Sequence, residues 1–140
     1  MIYLAQTDTT VGFLSKEQKL LNIVKKRPLD KSCIFCSTSF KGIVARVPNE
    51  HKKFVRRAKK TTFILPNSFS FRFVKEGAHV IFLRKTGALY STSANLTGQS
   101  FDIDFAKQKA DIIVEDSRGF FESKPSIIIK IGKKKLKKIR

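Results

Sequence analysis

Short apolar runs bounded by turn residues alternate along this chain with stretches whose apolar side chains recur at helical spacing, and that alternation admits few architectures. Ile2 to Ala5, Cys33 to Cys36, Thr61 to Leu65, Phe69 to Val74, Leu89 to Thr92, Ile112 to Glu115 and Ser126 to Ile131 read as strands. A helix is predicted after Ser15, which offers an N-cap, with Gln18 three residues on completing a capping box. Leu20, Leu21, Ile23 and Val24 give that helix an apolar stripe, and Pro28 ends it, because residues before proline avoid helical geometry. Asn49 to Lys60 reads as a strongly basic helix with Phe54, Val55 and Ala58 inward, and Asp104 to Ala110 as a weak one. Val80 to Leu83 fits either state on periodicity alone. Strands interleaved with helices predict an α/β domain.

The 140 residues, 41% of them hydrophobic, suit one compact domain spanning 1–140. The formal charge is +18, which predicts polyanionic partners: nucleotides, RNA or an anionic surface. The segment Lys133 to Arg140 carries six basic residues and no acid, yet the excess extends through the rest of the chain. No apolar run approaches the ~20 residues that cross a bilayer, and the start, Met1-Ile-Tyr-Leu-Ala, does not read as a secretory signal. Two cysteines give no disulfide framework, so the expected compartment is the reducing cytoplasm, with no membrane partner.

Three segments carry possible chemistry. Thr7-Asp8-Thr9-Thr10-Val11-Gly12 follows the opening strand, either as a small-ligand turn or as a plain strand-to-helix connection. Lys25-Lys26-Arg27-Pro28-Leu29-Asp30-Lys31 places four cations at a helix end. They serve either the macrodipole or a phosphate clamp in which arginine gives forked hydrogen bonds and lysine point charge. Ser91-Thr92-Ser93-Ala94-Asn95-Leu96-Thr97-Gly98 follows an apolar strand, where open α/β sheets usually bind ligands. Its hydroxyls and amide can meet phosphate oxygens, ribose or metal-bound water without adding charge. No Walker A loop or GxGxxG is present, so nucleotide binding would be of another type.

In this order the three segments resemble the YrdC-like family: a Thr-Asp-Thr turn with its glycine, Lys-x-Arg-Pro-x-x-Lys, and Thr-Ser-Ala-Asn-x-Thr-Gly. Thr62-Phe-Ile-Leu, Phe71-Arg72, Pro125-Ser126-Ile127 and Ile139-Arg140 resemble further family strands, so the likeness runs from about residue 3 to Arg140. The resemblance implies a twisted mixed sheet with flanking helices around a positively charged cavity. It implies a nucleotidyltransferase forming threonylcarbamoyl-AMP and pyrophosphate from ATP, L-threonine and bicarbonate. Its product would pass to a transferase complex that modifies adenosine in tRNA. Lys25, Arg27, Ser93 and Asn95 match the family's functional tetrad. ATP would be met by these four with Lys31, Thr62 and Arg140, and threonine by Thr9, Arg72 and Ser91, Mg²⁺ riding on the phosphates rather than on side chains. Departures from the pattern are Gln6 for a proline, Val11 for a tyrosine, Lys59-Lys60-Thr61 for Pro-Gly-Pro, Ile127 for a threonine, and Cys36 for a threonine-contacting histidine. Relative to that pattern the chain also lacks an N-terminal helix and a cavity-side loop after Leu65. These departures and the charge motivate the other reading, a catalytically reduced YrdC-like module that binds double-stranded RNA or tRNA.

Weaker signals favour structure over chemistry. Cys33 and Cys36 have zinc-like spacing without a second ligand pair, and on a strand their side chains point to opposite faces, so buried thiols are expected. His51 reads as a solvated helix residue and His79 as a surface or packing residue. Phe69, Phe71 and Phe73 share one strand face, which favours core over a base-stacking platform. The basic segment from Lys133 reads as a solvated charge run, an RNA arm, or the late family motif.

Overall fold

The computed structural model describes residues 1–39, 43 and 46–140. In chain order the elements are β1 (Tyr3–Gln6), β2 (Val11–Ser15), α1 (Gln18–Val24), β3 (Ile34–Ser37), α2 (Lys52–Arg57), β4 (Thr61–Ile64), β5 (Ser70–Phe73), α3 (Ala78–Thr86), β6 (Leu89–Ser93), α4 (Ile103–Lys109), β7 (Ile112–Val114), β8 (Ile127–Ile131) and β9 (Leu136–Lys138). Among the described residues these strands form one twisted mixed sheet, ordered β7-β1-β2-β6-β3-β5-β4-β8-β9. Three pairings, β1–β7, β3–β5 and β4–β8, are parallel; the other five are antiparallel.

Two elements differ from the sequence expectation in ways that matter for the site. Val11 to Ser15 is a strand, so the hydroxyl-rich segment after β1 is a hairpin connection and not the entry to a helix. All five residues of β2 are buried, because the strand pairs on both edges and is covered on both faces; the alternation that marks a half-exposed strand is therefore missing. Ser15 accordingly caps no helix. Its Oγ accepts the Glu17 N–H at 3.1 Å, while Gln18 Oε1 accepts the Cys33 N–H at 2.8 Å and ties α1 to the start of β3. The basic segment near the end forms β9, antiparallel to β8, and so becomes an edge strand with charged side chains.

Smaller differences have local causes. The basic helix of 49–60 shrinks to one 3₁₀ turn and α2, with Val55 fully buried and Phe54 45% exposed. Like charges one turn apart (Lys52–Arg56, Lys53–Arg57) disfavour a longer helix, and Ala58 is already extended. Only Leu21 of the expected α1 stripe is fully buried, with Ile23 exposed. His51 is buried rather than solvated, and 80–83 is helical, with Val80 and Leu83 inward. Asp102 caps α4, its Oδ1 accepting the N–H groups of Asp104 and Phe105.

Strand registers sort the side chains into two faces. Tyr90, Phe35, Phe71, Phe63 and Ile129 are partners across successive strands, with Phe13 diagonal to Tyr90; with Leu21, Val55 and Ala106 they form the apolar side covered by α1, α2 and α4. As expected, Phe69 and Phe71 belong to this core. On the opposite face α3 packs over Leu14, Cys36 and Leu89. The remainder of that face is mostly polar: Gly12, Ser93, Ser91, Arg72 and Thr62 lie along it from β2 to β4, with Ile34 of β3 and Ile128 of β8 as its apolar members. Cys33 and Cys36 lie in separate clusters on the two faces, both as free buried thiols. No helix among the described residues is long and apolar enough to cross a membrane.

Candidate functional site

The polar face opens into a cavity of about 420 Å³ whose walls come from all three sequence segments and from the β8–β9 end. Arg27, Lys31, Arg72 and Arg140 line it, and no carboxylate does among the described residues. Thr9, Ser91 and Ser93 add hydroxyls.

The helix-end cations reach this cavity through a specific turn. Lys26 takes a left-handed conformation, φ 53°, while its N–H donates to Ile23 O and the Arg27 N–H to Asn22 O, both at 3.1 Å. This is a Schellman termination of α1; Lys25 closes the helix three residues before the proline that was expected to end it. Reversal of the chain carries Arg27 back across the helix end. Its Nε donates to Asn22 Oδ1 at 2.6 Å, and its Nη2 lies 3.1 Å from Cys33 Sγ and 3.3 Å from Thr92 Oγ1. Asn22 is fully buried and its Nδ2 donates to the carbonyls of Leu29 and Lys31 at 3.0 and 2.9 Å, fixing the whole 27–31 loop. Asn22 was not singled out in the sequence. Its signal is a lone amide beside Leu21 in an otherwise apolar stretch.

Lys25 stands behind the cavity wall, 4% exposed. Its ammonium donates to Ser93 O (3.0 Å), Ser93 Oγ (3.1 Å) and Asn95 Oδ1 (3.1 Å), and Thr97 Oγ1 returns a bond to the Lys25 carbonyl. The four residues of the expected tetrad are thus brought together, three by direct bonds and Arg27 through the adjacent Thr92. Burial, then the neighbouring Arg27 charge, lowers the Lys25 pKa to about 8. Asn95 itself faces an adjoining hollow with Ser123 and Glu122 rather than the main cavity. Gly12 is required by a close approach: a Cβ there would sit 3.0 Å from the Thr92 carbonyl oxygen and 3.2 Å from Thr7 Cγ2.

The remaining predicted residues arrive from β4, β5 and β9. Thr62 does not line the cavity; its Oγ1 lies 2.7 Å from Ser126 Oγ, which does. Arg140 donates through Nε to Ser126 O at 2.9 Å, so the β9 end forms one wall. Arg72, 3% exposed, is ion-paired with Asp8 at 3.0 Å, and its Nε is buried with no partner among the described residues. Cys36, beside Arg72 in register, is fully buried under α3 and does not reach the cavity; burial pushes its thiol pKa up.

This architecture recurs in solved structures. No family model and no curated protein matches the sequence. Sua5 from P. abyssi, solved with L-threonine, superimposes on 99% of the chain at TM-score 0.79 and 17% identity, with 49% of that protein covered. E. coli YciO gives TM-score 0.78 at 15% identity over 99% of the chain and 82% of its own length. Full-length HypF, in a phosphate- and nucleotide-bound form, gives 0.69 at 14% over 99% of the chain and 26% of its own. The chain therefore has the fold of the Sua5/YrdC proteins, as the sequence resemblance implied. It spans about half the length of the Sua5 structures it matches.

Proposed function

We propose that the chain forms threonylcarbamoyl-AMP from ATP, L-threonine and bicarbonate. The observation that carries the reading is the meeting of the Lys25–Lys31 loop and the Ser91–Asn95 strand end at one cavity lined, among the described residues, by four cations and no acid. The reaction brings two anions together: the amine of threonine takes up bicarbonate, with loss of water, as a carbamate. A carbamate oxygen then attacks the α-phosphorus of ATP, and the bond to pyrophosphate breaks. Fixed cations offset the repulsion of this approach and the charge on the leaving group. Arg27, held at the required angle by Asn22, is the residue for the phosphates, with Lys31 and Arg140 at the rim. Lys25 acts through Ser93 and Asn95, holding hydroxyl and amide in place. Holding the substrates in line supplies several kcal/mol with no covalent enzyme group. With no carboxylate on the wall among the described residues, Mg²⁺ would enter as part of the MgATP substrate. Threonine's carboxylate would use the free Nε of Arg72, with Thr9 and Ser91 beside it. The threonine in the Sua5 structure and the nucleotide in that of HypF are consistent with such occupants.

The test is pyrophosphate release by the folded protein with ATP and bicarbonate. Release that requires threonine and falls in Arg27→Ala supports the reading; its absence from folded protein refutes it. A second reading, a tRNA- or double-stranded-RNA-binding module, is favoured by the exposed lysines of β9 and by the Asp8 carboxylate already occupying Arg72. In that case RNA affinity falls steeply with salt and is insensitive to Arg27→Ala, and no threonine-dependent release occurs.

A further inference from the structure

A second cavity, of about 260 Å³, adjoins the first across the Asp8–Arg72 pair: Asp8 lines the smaller one, Arg72 the larger. Its floor is the start of α3. Gly77 caps that helix with φ 88° and no side-chain hydrogen bond, so the first-turn amides have no capping side chain, and a Cβ at Gly77 would meet only open space. A helix N-terminus left open in this way favours an anion.

An independent feature borders the same space. His79, on the wall of this cavity, is 1% exposed, and neither ring nitrogen has a partner among the described residues. One side of the ring packs on Phe82, with centroids 6.2 Å apart. Burial lowers the His79 pKa to about 4, Asp8 opposing and Arg72 and Arg118 assisting, so the imidazole is neutral at ordinary pH. A neutral imidazole presents one donor and one acceptor, and leaving both unused in a buried site is costly.

The charges around the space are unevenly matched. Lys59 pairs with Glu76 at 3.3 Å, Arg118 with Asp116 at 2.7 Å and Arg72 with Asp8 at 3.0 Å. Lys60 and Lys75 line the cavity with no ion-pair partner among the described residues, and Lys75 lies over the Phe73 ring at 5.7 Å. We infer that this cavity is a binding site for a small phosphate-class anion, inorganic phosphate or a phosphomonoester, held by Lys60, Lys75 and the first turn of α3 with His79 as its neutral partner. Two unpaired cations match a dianion. In its hydrogen phosphate form the ligand both accepts from and donates to the imidazole. Sulfate cannot donate, so His79 discriminates between the two ions.

The test is a titration of the full chain, labelled at histidine nitrogens, with sodium phosphate at constant ionic strength. The inference requires a saturable shift of the His79 ring signals, with sulfate weaker by about tenfold, the scale of one hydrogen bond. The double variant Lys60→Gln/Lys75→Gln, whose side chains are not in the core, should weaken phosphate by tenfold or more on the order of two lost ion contacts. Arg27→Ala should leave the shift unchanged. Glycerol 2-phosphate separates the sources: binding equal to phosphate indicates a phosphomonoester, binding by phosphate alone the free ion. No saturable shift, equal binding of sulfate, or loss of the shift in Arg27→Ala instead of the lysine variant overturns the inference. Because the readout is at His79 and needs neither ATP nor threonine, its failure is distinct from failure of the synthase reading.

Discussion

The buried histidine makes stability depend on acid in a way that can be isolated. His79 has an ordinary pKa of 6.5 when unfolded and about 4 in place. Between those values the unfolded chain binds a proton that the folded protein refuses, so stability rises with pH through this window. The contribution is complete above pH 6.5 and lost as pH falls towards 4. At 1.36 kcal/mol per pKa unit the loss is about 3 kcal/mol, a large fraction of a small domain's stability. Other groups also titrate there, so the quantity to measure is a difference. Urea unfolding of the native chain and of His79→Leu, in phosphate-free buffer at half-unit steps from pH 7 to 4.5, gives two stability curves. The native curve should fall more steeply than the variant's, the gap widening by about 2–3 kcal/mol across the range. At pH 7 the leucine should cost little, since it removes two unsatisfied nitrogens. Parallel curves would show that the ring is already charged, or already partnered, and would refute the reasoning.

Three further outcomes follow from local geometry. Lys26→Gly should raise stability by about 0.5–1 kcal/mol in urea unfolding, because glycine takes φ 53° without a Cβ penalty that outweighs its extra chain entropy; a loss would mean that the lysine side chain holds the turn. Gly12→Ala should cost about 1–3 kcal/mol and perturb Thr92 in NMR spectra, since the added methyl meets the Thr92 carbonyl at 3.0 Å. ATP affinity, followed by calorimetry from pH 7 to 9.5, should fall as Lys25 loses its proton near pH 8, whereas Lys25→Arg should remove that fall. Over the same window the unfolded chain holds the proton more firmly than the folded protein, so fold stability should rise while affinity drops.

Much of the site was legible because its residues are consecutive. The tetrad positions lie in two short polar segments, each next to an apolar element that places it; local pattern alone leaves their role open, and it is the order of the segments, which resembles that of the YrdC-like family, that singles them out. Arg72 is singled out by the likeness of Phe71-Arg72 to a family strand, and it does lie on a strand, β5. What local pattern hid was tertiary. β2 gives no alternation because both of its faces are covered, and β9 reads as a charge run because its partner β8 lies across a turn. Asn22 looked like one polar residue in a helix until the loop it fastens came back over it. In sequence His79 stays open between surface and packing, since its burial depends on α3 folding onto the sheet.

Asp8 and Arg72 are a party wall between two chambers, and they hold it by a single carboxylate–guanidinium contact. A guest that drew the Asp8 carboxylate to one side would free the Arg72 guanidinium on the other, and any such coupling would have to be equal in both directions. On that wall, molecules lodged on either side would not need to touch for one to weaken or strengthen the other.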